Sequence, residues 1–294
     1  MTAVTTEARV PEPQRIARYP TRSKFAASRA ALLALILRDV TVLRKNFAVF
    51  VARTLVQPFL LVFVFLYVFP TIGQGIGRGA GSNSDFATVL VPGVVAVSIM
   101  FQGIQSVALP MSTEFGFTRE IEDRVQAPCP LWLVAIAKVL SGALQGVLSA
   151  VIVFPIAAVI HARGVHADLS PHWLILLTLI PLASVAMASL GLMLGTTFEP
   201  RNIGAMFGFV VLPLTFLGGT YYQWTKLAPV TIGDFHWLQT VVLLNPLIYV
   251  SEGMRAALTD FSHMPLYVIY PVLIGFCVVF LTWGLRNFRR RVLL

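Results

Sequence analysis

Four residues that can ligate a metal fall close together in one polar stretch of the sequence: His161, His166, Asp168 and His172. Three imidazoles and a carboxylate would suit zinc if they converged. The stretch lies between two long apolar runs, however, and the sequence favours a solvated polar loop. No Ser/His/Asp set or pair of carboxylates falls in a credible pocket either. We therefore predict no metal site and no catalytic residue.

A glycine-rich stretch, GQGIGRGAG at residues 73–81, raises the question of nucleotide binding. A P-loop needs Gly-x-x-x-x-Gly-Lys followed by Ser or Thr, because its backbone amides and its lysine hold the phosphates. The stretch has no lysine at the required place, and the motif is absent from the whole sequence. We expect a flexible outer loop here and no ATP bound by the chain itself.

The densest charge cluster lies at residues 118–130, TREIEDRVQAPCP. Phe117, Ile121 and Val125 recur every four residues, which predicts a short helix with one apolar stripe. The charged side chains on its other faces are Arg119, Glu120, Glu122, Asp123 and Arg124. So short a helix is marginal in water, so we expect its stripe to dock on a partner that the charges select. A solvated loop is the alternative.

The composition indicates a helical membrane protein that crosses the bilayer several times. Over 294 residues, 57% are hydrophobic and 12% charged, whereas soluble domains carry about a quarter charged residues. Apolar runs of spanning length predict six transmembrane helices. They cover about Phe47–Phe69, Phe86–Leu109, Leu131–Ile160, Trp173–Thr197, Ile203–Tyr222 and Pro265–Leu285.

The distribution of lysine and arginine predicts that both termini are cytoplasmic. Four basic residues lie in the loops of one side: Arg78, Arg163, Lys226 and Arg255. Sixteen lie in the terminal segments and the remaining loops: Arg9, Arg15, Arg18, Arg22, Lys24, Arg29, Arg38, Arg44, Lys45, Arg119, Arg124, Arg201, Arg286, Arg289, Arg290 and Arg291. The net charge of +9 then faces anionic lipid, and we expect no nucleic-acid partner. Residues 1–24 predict a disordered cytoplasmic tail without a cleavable signal peptide.

Two further segments do not read as spans. In residues 25–45, Leu32, Leu33, Ile36, Val40 and Leu43 recur at helical spacing, which favours an amphipathic helix on the cytoplasmic membrane surface over an extension of the first span. On the outer side, residues 223–264 contain an apolar run broken at Asn245-Pro246, and a helix is predicted from Pro246 to about Leu258. We expect two short helices that dip into the outer leaflet; a surface hairpin is the alternative.

Charge inside the predicted spans is nearly absent. Arg53 and Lys138 lie near the cytoplasmic ends of their spans, and we expect both to snorkel to the surface. Ion-coupled carriers and proton pumps use buried ionisable residues. The sequence therefore predicts that the energy for transport arrives from elsewhere, or that none is used.

Three stretches together resemble one family, the ABC-2 type exporter permeases. They are REIEDRVQAPCPLWLVAIAKVL at 119–140, LPLTFLGGTYYQWTKLAP at 212–229 and LNPLIYVSEGMRAAL at 244–258. The second and third look closest to the drug- and lipid-type branch. The resemblance covers nearly the whole chain after residue 24 and implies one all-α transmembrane domain over residues 25–294.

The resemblance also implies partners. Such a permease pairs with a second permease copy, identical or homologous, and two ATPase subunits that carry ATP and Mg bind below it. A coupling helix at about Thr113–Ala127 would contact the ATPase through Phe117, Arg119, Glu120, Ile121, Glu122, Asp123, Arg124 and Val125. Re-entrant helices at 235–258 would include Asn245, Pro246, Tyr249, Glu252 and Arg255.

The second and fifth spans are then expected to line the path of the cargo. The path residues are Phe101, Gln105, Met206, Phe209, Phe216, Tyr221 and Tyr222, and Gly218-Gly219 would allow close approach at the seam between two copies. Aromatic and Met surfaces suit amphipathic or lipid-like cargo exported across a bacterial inner membrane, although such side chains also face lipid or pack helices. A polysaccharide or teichoic-acid exporter remains an alternative, as does a carrier without ATP coupling or a membrane enzyme.

Overall fold

The computed structural model describes residues 24–72, 82–116, 130–159, 167–230 and 236–293, and these residues form helices and connecting turns without any strand. Nine helical segments follow one another in these ranges. They are α1 (Lys24–Lys45), α2 (Phe47–Thr71), α3 (Ser82–Gly116), α4 (Leu131–Val159), α5 (Trp173–Thr197), α6 (residues 203–216), α7 (Trp237–Val242), α8 (Pro246–Leu258) and α9 (Leu266–Leu293).

Five of these helices, α2, α3, α4, α5 and α9, are long and apolar enough to cross a membrane. The predicted fifth span, Ile203–Tyr222, contains the shorter α6, whose helix ends at Phe216. A full crossing takes about 20 helical residues, so the sixth crossing stays a prediction.

Helix α3 lies at the centre of the bundle and packs against α5, α4 and α8. Of its apolar window, 89% is buried, compared with 28% for α2 and 22% for α9. Small residues bring α3 and α5 together: a Cβ on Gly191 would lie 2.9 Å from the Cα of Ile104, and one on Gly195 would lie 2.9 Å from the Cα of Ala108. Such backbone contact is typical of helices packed in lipid.

Two helices extend further than the sequence predicted. Helix α3 continues to Gly116, so residues 113–116 belong to it rather than to a separate coupling helix, which corrects the predicted start at Thr113. Helix α9 continues to Leu293 and carries the terminal arginines on its last turns. Hydropathy alone underestimates both helices, because their ends are polar yet remain helical.

Two π-helical turns interrupt the spans, and each precedes a proline. Phe63–Val68 comes just before Pro70 in α2, and Phe207–Val211 comes just before Pro213 in α6. Proline has no backbone N–H, so the preceding turn loses a regular hydrogen bond and widens. Helix α6 is therefore a broken rather than a regular helix.

Helix α1 packs mainly against α4. Leu32, Ile36, Val40 and Leu43 are half-buried as the predicted apolar stripe requires, but Leu33 is 56% exposed. Leu35, outside the predicted stripe, packs against the core in its place. The stripe is thus rotated slightly from the prediction, and the place of α1 at the membrane surface stays a prediction.

Candidate functional site

A seam of polar side chains, which we call the polar seam, crosses three helices of the bundle. The Thr54 hydroxyl on α2 donates to Gln102 Oε1 at 3.2 Å, and Gln102 Nε2 on α3 donates to Gln145 Oε1 on α4 at 3.1 Å. Beside them, Arg53 Nε and Nη2 donate to Gln105 Oε1 at 3.1 and 2.8 Å. Each partner satisfies polar groups that would be costly to leave unpaired among apolar helices.

The seam gives Arg53 a partner. Its guanidinium is held by Gln105 on the neighbouring helix while the side chain is exposed on the bundle, so its snorkelling to the membrane surface stays a prediction. Gln105 and Phe101, both predicted path residues, line a narrow cleft beside Arg53 and Thr54. These two predicted residues therefore do lie side by side on the face of α3 that meets α2.

The remaining predicted path residues do not share one cavity. Met206 is fully buried in the core, whereas Phe209 and Phe216 are 83% and 60% exposed on α6. Tyr221 packs between Phe65 and Phe216, with ring centroids 5.5 and 6.2 Å away. Met206 thus presents no surface to a path in this conformation, while α6 presents two aromatic rings.

An outer cleft of about 570 Å³ collects the tyrosine pair. Tyr221 and Tyr222 line it together with Asp85, Phe86 and Lys226. The Tyr222 hydroxyl donates to the Phe216 carbonyl at 3.3 Å, which fixes this ring over the end of α6. The aromatic cluster connects α2, α3 and the residues after α6 at the end of the bundle opposite the polar seam.

Helix α8 begins at Pro246 and ends at Leu258, as the sequence predicts. The Asn245 side chain caps it by accepting from Leu247 N at 2.9 Å, and Asn245 Nδ2 donates to the Leu214 carbonyl at 2.7 Å. Pro at the first helical position has no N–H to leave unsatisfied. The Tyr249 hydroxyl donates to the Leu243 carbonyl at 3.0 Å and so ties α8 to the end of α7.

A fully buried ion pair lies inside this outer region. Arg255 Nη1 lies 2.8 Å from Glu252 Oε1, and both side chains have no exposed surface. Glu252 also accepts the backbone N–H groups of Trp224 and Met264, at 2.8 and 3.0 Å. Arg255 Nη2 donates to the Gly219 carbonyl. Burial of an ion pair is tolerated when additional hydrogen bonds satisfy its groups, and here they satisfy both carboxylate oxygens and two of the three guanidinium nitrogens, while Arg255 Nε has no partner among the described residues.

The glycine pair is covered by α8 of the same chain, which corrects the prediction that it lies at a seam between two copies. A Cβ on Gly218 would meet Leu247, and one on Gly219 would meet Ile248, each at 2.3 Å. Gly219 has a φ of 68°, a conformation that glycine adopts at little cost. The Ser251 hydroxyl donates to the Gly218 carbonyl at 2.6 Å and fastens the turn to α8.

A second buried ion pair joins α3 and α4. Lys138 Nζ lies 2.6 Å from Glu114 Oε1, and the two side chains are 10% and 9% exposed. The sequence predicted that Lys138 snorkels to the surface, which is wrong because its ammonium is buried within the bundle and paired with Glu114, about three helical turns after Gln102 on α3. The sequence analysis did not identify Glu114 as the partner of Lys138, because the hydropathy pattern placed the end of the second span at Leu109.

The last turn of α3 is held by α9. The Phe115 and Phe288 rings meet edge to face with centroids 5.8 Å apart, and the Arg291 guanidinium lies 5.6 Å from the Phe115 centroid. Arg291 Nη2 also donates to the Phe198 carbonyl at 2.9 Å, just beyond the C-terminus of α5. Three helices thus converge on Phe115, immediately before the predicted coupling segment.

The predicted coupling residues, Phe117, Arg119, Glu120, Ile121, Glu122, Asp123, Arg124 and Val125, all lie outside the described residues. The same holds for His161 and His166 of the candidate metal ligands. In the ranges the structure describes, no group of three or more His, Cys, Asp or Glu side chains converges. The Asp168 backbone N–H donates to the Thr88 hydroxyl at 3.0 Å, and the His172 N–H donates to the Ala257 carbonyl at 2.7 Å.

Five helices long and apolar enough to cross a membrane define an integral membrane protein of the helical class. The chain belongs to the ABC-2 type transporter family, whose model matches residues 30–259. This confirms the family resemblance. The chain is also similar to the inner membrane transport permease YadH of Escherichia coli K12, Escherichia coli O157:H7 and Shigella flexneri. In each case the identity is 30% over 203 residues, which cover 67% of this chain and 73% of the relative.

Proposed function

We propose that the chain is the membrane subunit of an ATP-driven exporter and that separate ATPase subunits carry the ATP and Mg. The observation that carries the proposal is membership of the ABC-2 type transporter family over residues 30–259 in a chain without a P-loop. The motor must then be another polypeptide. The chain itself binds no cofactor and performs no chemistry under this proposal.

Coupling would pass through the segment that follows α3. By family resemblance, Glu122, Asp123 and Arg124 contact the ATPase, and closure of the ATPase pair pushes on this segment. The support within the described residues is mechanical: Phe115 is wedged against α9, and Glu114 is paired with Lys138 on α4. A push delivered at residue 117 would therefore reach α3, α4 and α9 together.

A second permease copy would cover the exposed apolar surface of α2 and α6. Val49, Val56 and Leu60 on α2 are more than half exposed, as are Phe209 and Phe216 on α6. These faces flank the polar seam and the outer cleft, so pairing would enclose both between the copies. If this surface faces lipid instead, the same side chains would be exposed in the single chain. Crosslinking between copies distinguishes a surface covered by a second copy from one covered by lipid.

The proposed topology has six crossings, with residues 203–222 as the fifth and both termini in the cytoplasm. The relatives named inner membrane transport permease support a bacterial inner membrane for this chain too. Helix α1 would lie on the cytoplasmic surface, and α7 and α8 would dip into the outer leaflet. The burial of α8 supports this depth, because a buried helix end needs protein around it.

The proposed cargo is amphipathic or lipid-like. Its support is two separate surfaces of different character, a polar one at Arg53, Gln102 and Gln105 and an aromatic one at Phe216 and Tyr221, which the proposed path would join into one surface. Such a surface offers both polar and apolar contacts to one molecule. A polysaccharide exporter would require a wide continuous channel, and a carrier without ATP coupling would use buried ionisable groups that lack a fixed partner.

Co-purification tests the proposal. The tagged chain, expressed with its genomic neighbours and solubilised in mild detergent, should bring down a Walker-type ATPase subunit in a stoichiometric complex. A tagged five-span membrane protein of unrelated family serves as the control for unspecific capture. If no ATPase accompanies the chain under conditions in which the chain remains monodisperse, the proposal fails.

A further inference from the structure

A groove of about 560 Å³ opens between α1, α2, α3 and α4 and shares Arg53, Gln102 and Gln145 with the polar seam. Its polar lining includes Arg38, Arg53, Gln102, Lys138, Ser141 and Gln145. We propose that this inner groove binds the anionic headgroup, a phosphate or a carboxylate, of an amphiphile drawn from the inner leaflet. The inference rests on the proposed function in one respect, that the cargo is amphipathic.

The depth of the groove matches that of a lipid headgroup. Arg53 lies six residues after Phe47 at the start of α2, and Lys138 lies seven after Leu131 at the start of α4. At 1.5 Å per residue both are about 10 Å from the ends of their helices. A headgroup layer is roughly 5–8 Å thick on each side of the hydrocarbon core. When the starts of α2 and α4 are placed at the outer edge of the headgroup layer, both cations lie near the junction between headgroup and acyl chain.

The charges in the groove leave one cation without an anion. Arg38 pairs with Asp39 at 2.9 Å, and Lys138 pairs with Glu114 at 2.6 Å. Arg53 is held by the neutral Gln105 and has no carboxylate partner among the described residues. Three positive side chains and two carboxylates leave a net charge of +1 in and around the groove. This unbalanced charge is centred on Arg53. The planar guanidinium suits a phosphate or carboxylate, to which it donates in a bidentate manner.

A buried hydroxyl adds a second donor. Ser141 is 6% exposed and lines the groove, and its Oγ has no hydrogen-bond partner within the described ranges. A buried hydroxyl without a partner is uncommon, because burial removes its water without compensation. An anionic oxygen in the groove would accept its hydrogen bond.

The remaining lining favours an amphiphile over a free ion. Val42, Leu43, Val49 and Phe50 line the groove beside the cations, and Val42 and Val49 are 53% and 68% exposed. Their exposed surface continues along α1 and α2, where an acyl chain could lie. A soluble anion would gain nothing from these side chains.

Lipid binding to the purified full-length chain tests the inference without any ATPase. Native mass spectrometry of the detergent-solubilised chain would be recorded during titration with short-chain phosphatidic acid, phosphatidylglycerol and zwitterionic phosphatidylcholine. We expect the two anionic lipids to bind about tenfold more tightly than phosphatidylcholine, because the quaternary ammonium of the latter neutralises its phosphate and is repelled by the net positive charge of the groove. Arg53→Gln should remove that preference, and Arg53→Lys should retain part of it.

The matched control is Arg44→Gln, which removes one cation from α1 outside the groove and should preserve the preference. Ser141→Ala provides a second test that keeps every charge, and it should weaken anionic lipid binding severalfold. Equal binding of all three lipids, or an unchanged preference in both groove variants, would overturn the inference.

Inorganic phosphate provides the remaining arm of the test. If it competes with the anionic lipids at equal concentration, the groove selects a soluble anion and the amphiphile is excluded. The experiments distinguish a failure of the groove proposal from a failure of the proposed exporter function. Loss of lipid preference with an intact ATPase complex overturns only the groove, whereas selective lipid binding by a chain that captures no ATPase overturns only the exporter.

Discussion

Lys138 and Glu114 form a buried ion pair, 2.6 Å apart, that bridges the two helices on either side of the predicted coupling segment. The pair fixes the distance between the C-terminal end of α3 and the first turns of α4. A movement of the segment between them must therefore displace both helices or break the pair, and breaking a buried pair is strongly unfavourable.

Removing the lysine should destabilise the bundle. Lys138→Met leaves the Glu114 carboxylate buried without its ammonium, and we expect a loss of about 3–5 kcal/mol in the free energy of unfolding. Tryptophan fluorescence during thermal unfolding of the purified chain measures it. The double variant Glu114→Gln with Lys138→Met should regain most of the loss.

The control for this pair is Arg38→Met, which breaks the more exposed ion pair with Asp39 and should cost at most about 1 kcal/mol. A Lys138→Met chain as stable as the Arg38→Met chain would show that the buried pair does not hold α3 and α4 together.

The outer region should loosen when Glu252 is removed. Glu252→Ala leaves Arg255 unpaired and deprives Trp224 N and Met264 N of their acceptor. We expect trypsin to cut at Lys226, two residues after Trp224, at least about tenfold faster than in the native chain, because local opening then costs less. Electrophoresis of timed digests measures the rate.

Asp260→Ala serves as the control, since Asp260 is exposed and lies close to the same region. It should leave the rate of cleavage at Lys226 unchanged. Equal protection of Lys226 in the Glu252→Ala and Asp260→Ala chains would contradict a restraining role for the carboxylate.

The turn after α6 should require glycine. Gly219→Ala puts a Cβ at a φ of 68° and against Ile248, so we expect a loss of at least about 1–2 kcal/mol. Gly275→Ala in the middle of α9, where a Cβ would meet nothing within 4 Å, should be neutral or stabilise by about 0.5–1 kcal/mol. Thermal unfolding compares the two, and a Gly219→Ala chain at least as stable as the Gly275→Ala chain would refute the requirement.

The coupling segment should be needed for stimulation of the ATPase. Glu122→Lys with Asp123→Lys reverses the acidic pair, and we expect normal insertion and folding but no cargo-stimulated ATP hydrolysis by the reconstituted complex, because charge complementarity to the ATPase is lost. Phosphate release in proteoliposomes measures it. Glu7→Lys with Glu12→Lys makes the same charge change in the N-terminal tail and should preserve stimulation. Full stimulation of the ATPase in both double variants would refute the coupling role of the acidic pair.

The local sequence predicts the helices well where one signal dominates. Trp173–Thr197 matches α5, because its apolar run begins directly after a polar loop, and Pro246–Leu258 matches α8, because Asn245-Pro246 marks a clear start. The ends of α3 and α9 were missed because polar residues there lower the hydropathy while the chain stays helical. Local sequence decides whether a helix forms, whereas the residue at which the helix ends depends on tertiary contacts such as that between Phe115 and Phe288.

The polar contacts could not be predicted, because they join residues far apart in sequence. Nothing near Lys138 indicates that Glu114 would reach it, and nothing near Gly218 indicates that Leu247 would cover it. Gln102 and Gln105, three residues apart on one helical face, were the available signal for the polar seam. Two amides on one face of a span suggest a polar neighbour, but they do not identify Thr54, Arg53 and Gln145.

The Glu252–Arg255 pair also bears on how the chain is made. Arg255 is one of four basic residues on the side predicted to be outer, and under the proposed topology it would cross the bilayer during synthesis, against the usual retention of arginine in the cytoplasm. Glu252 precedes it by one helical turn, and the two can travel as a neutral unit. Once folded, the arginine is enclosed by protein and adds no positive charge to the outer surface.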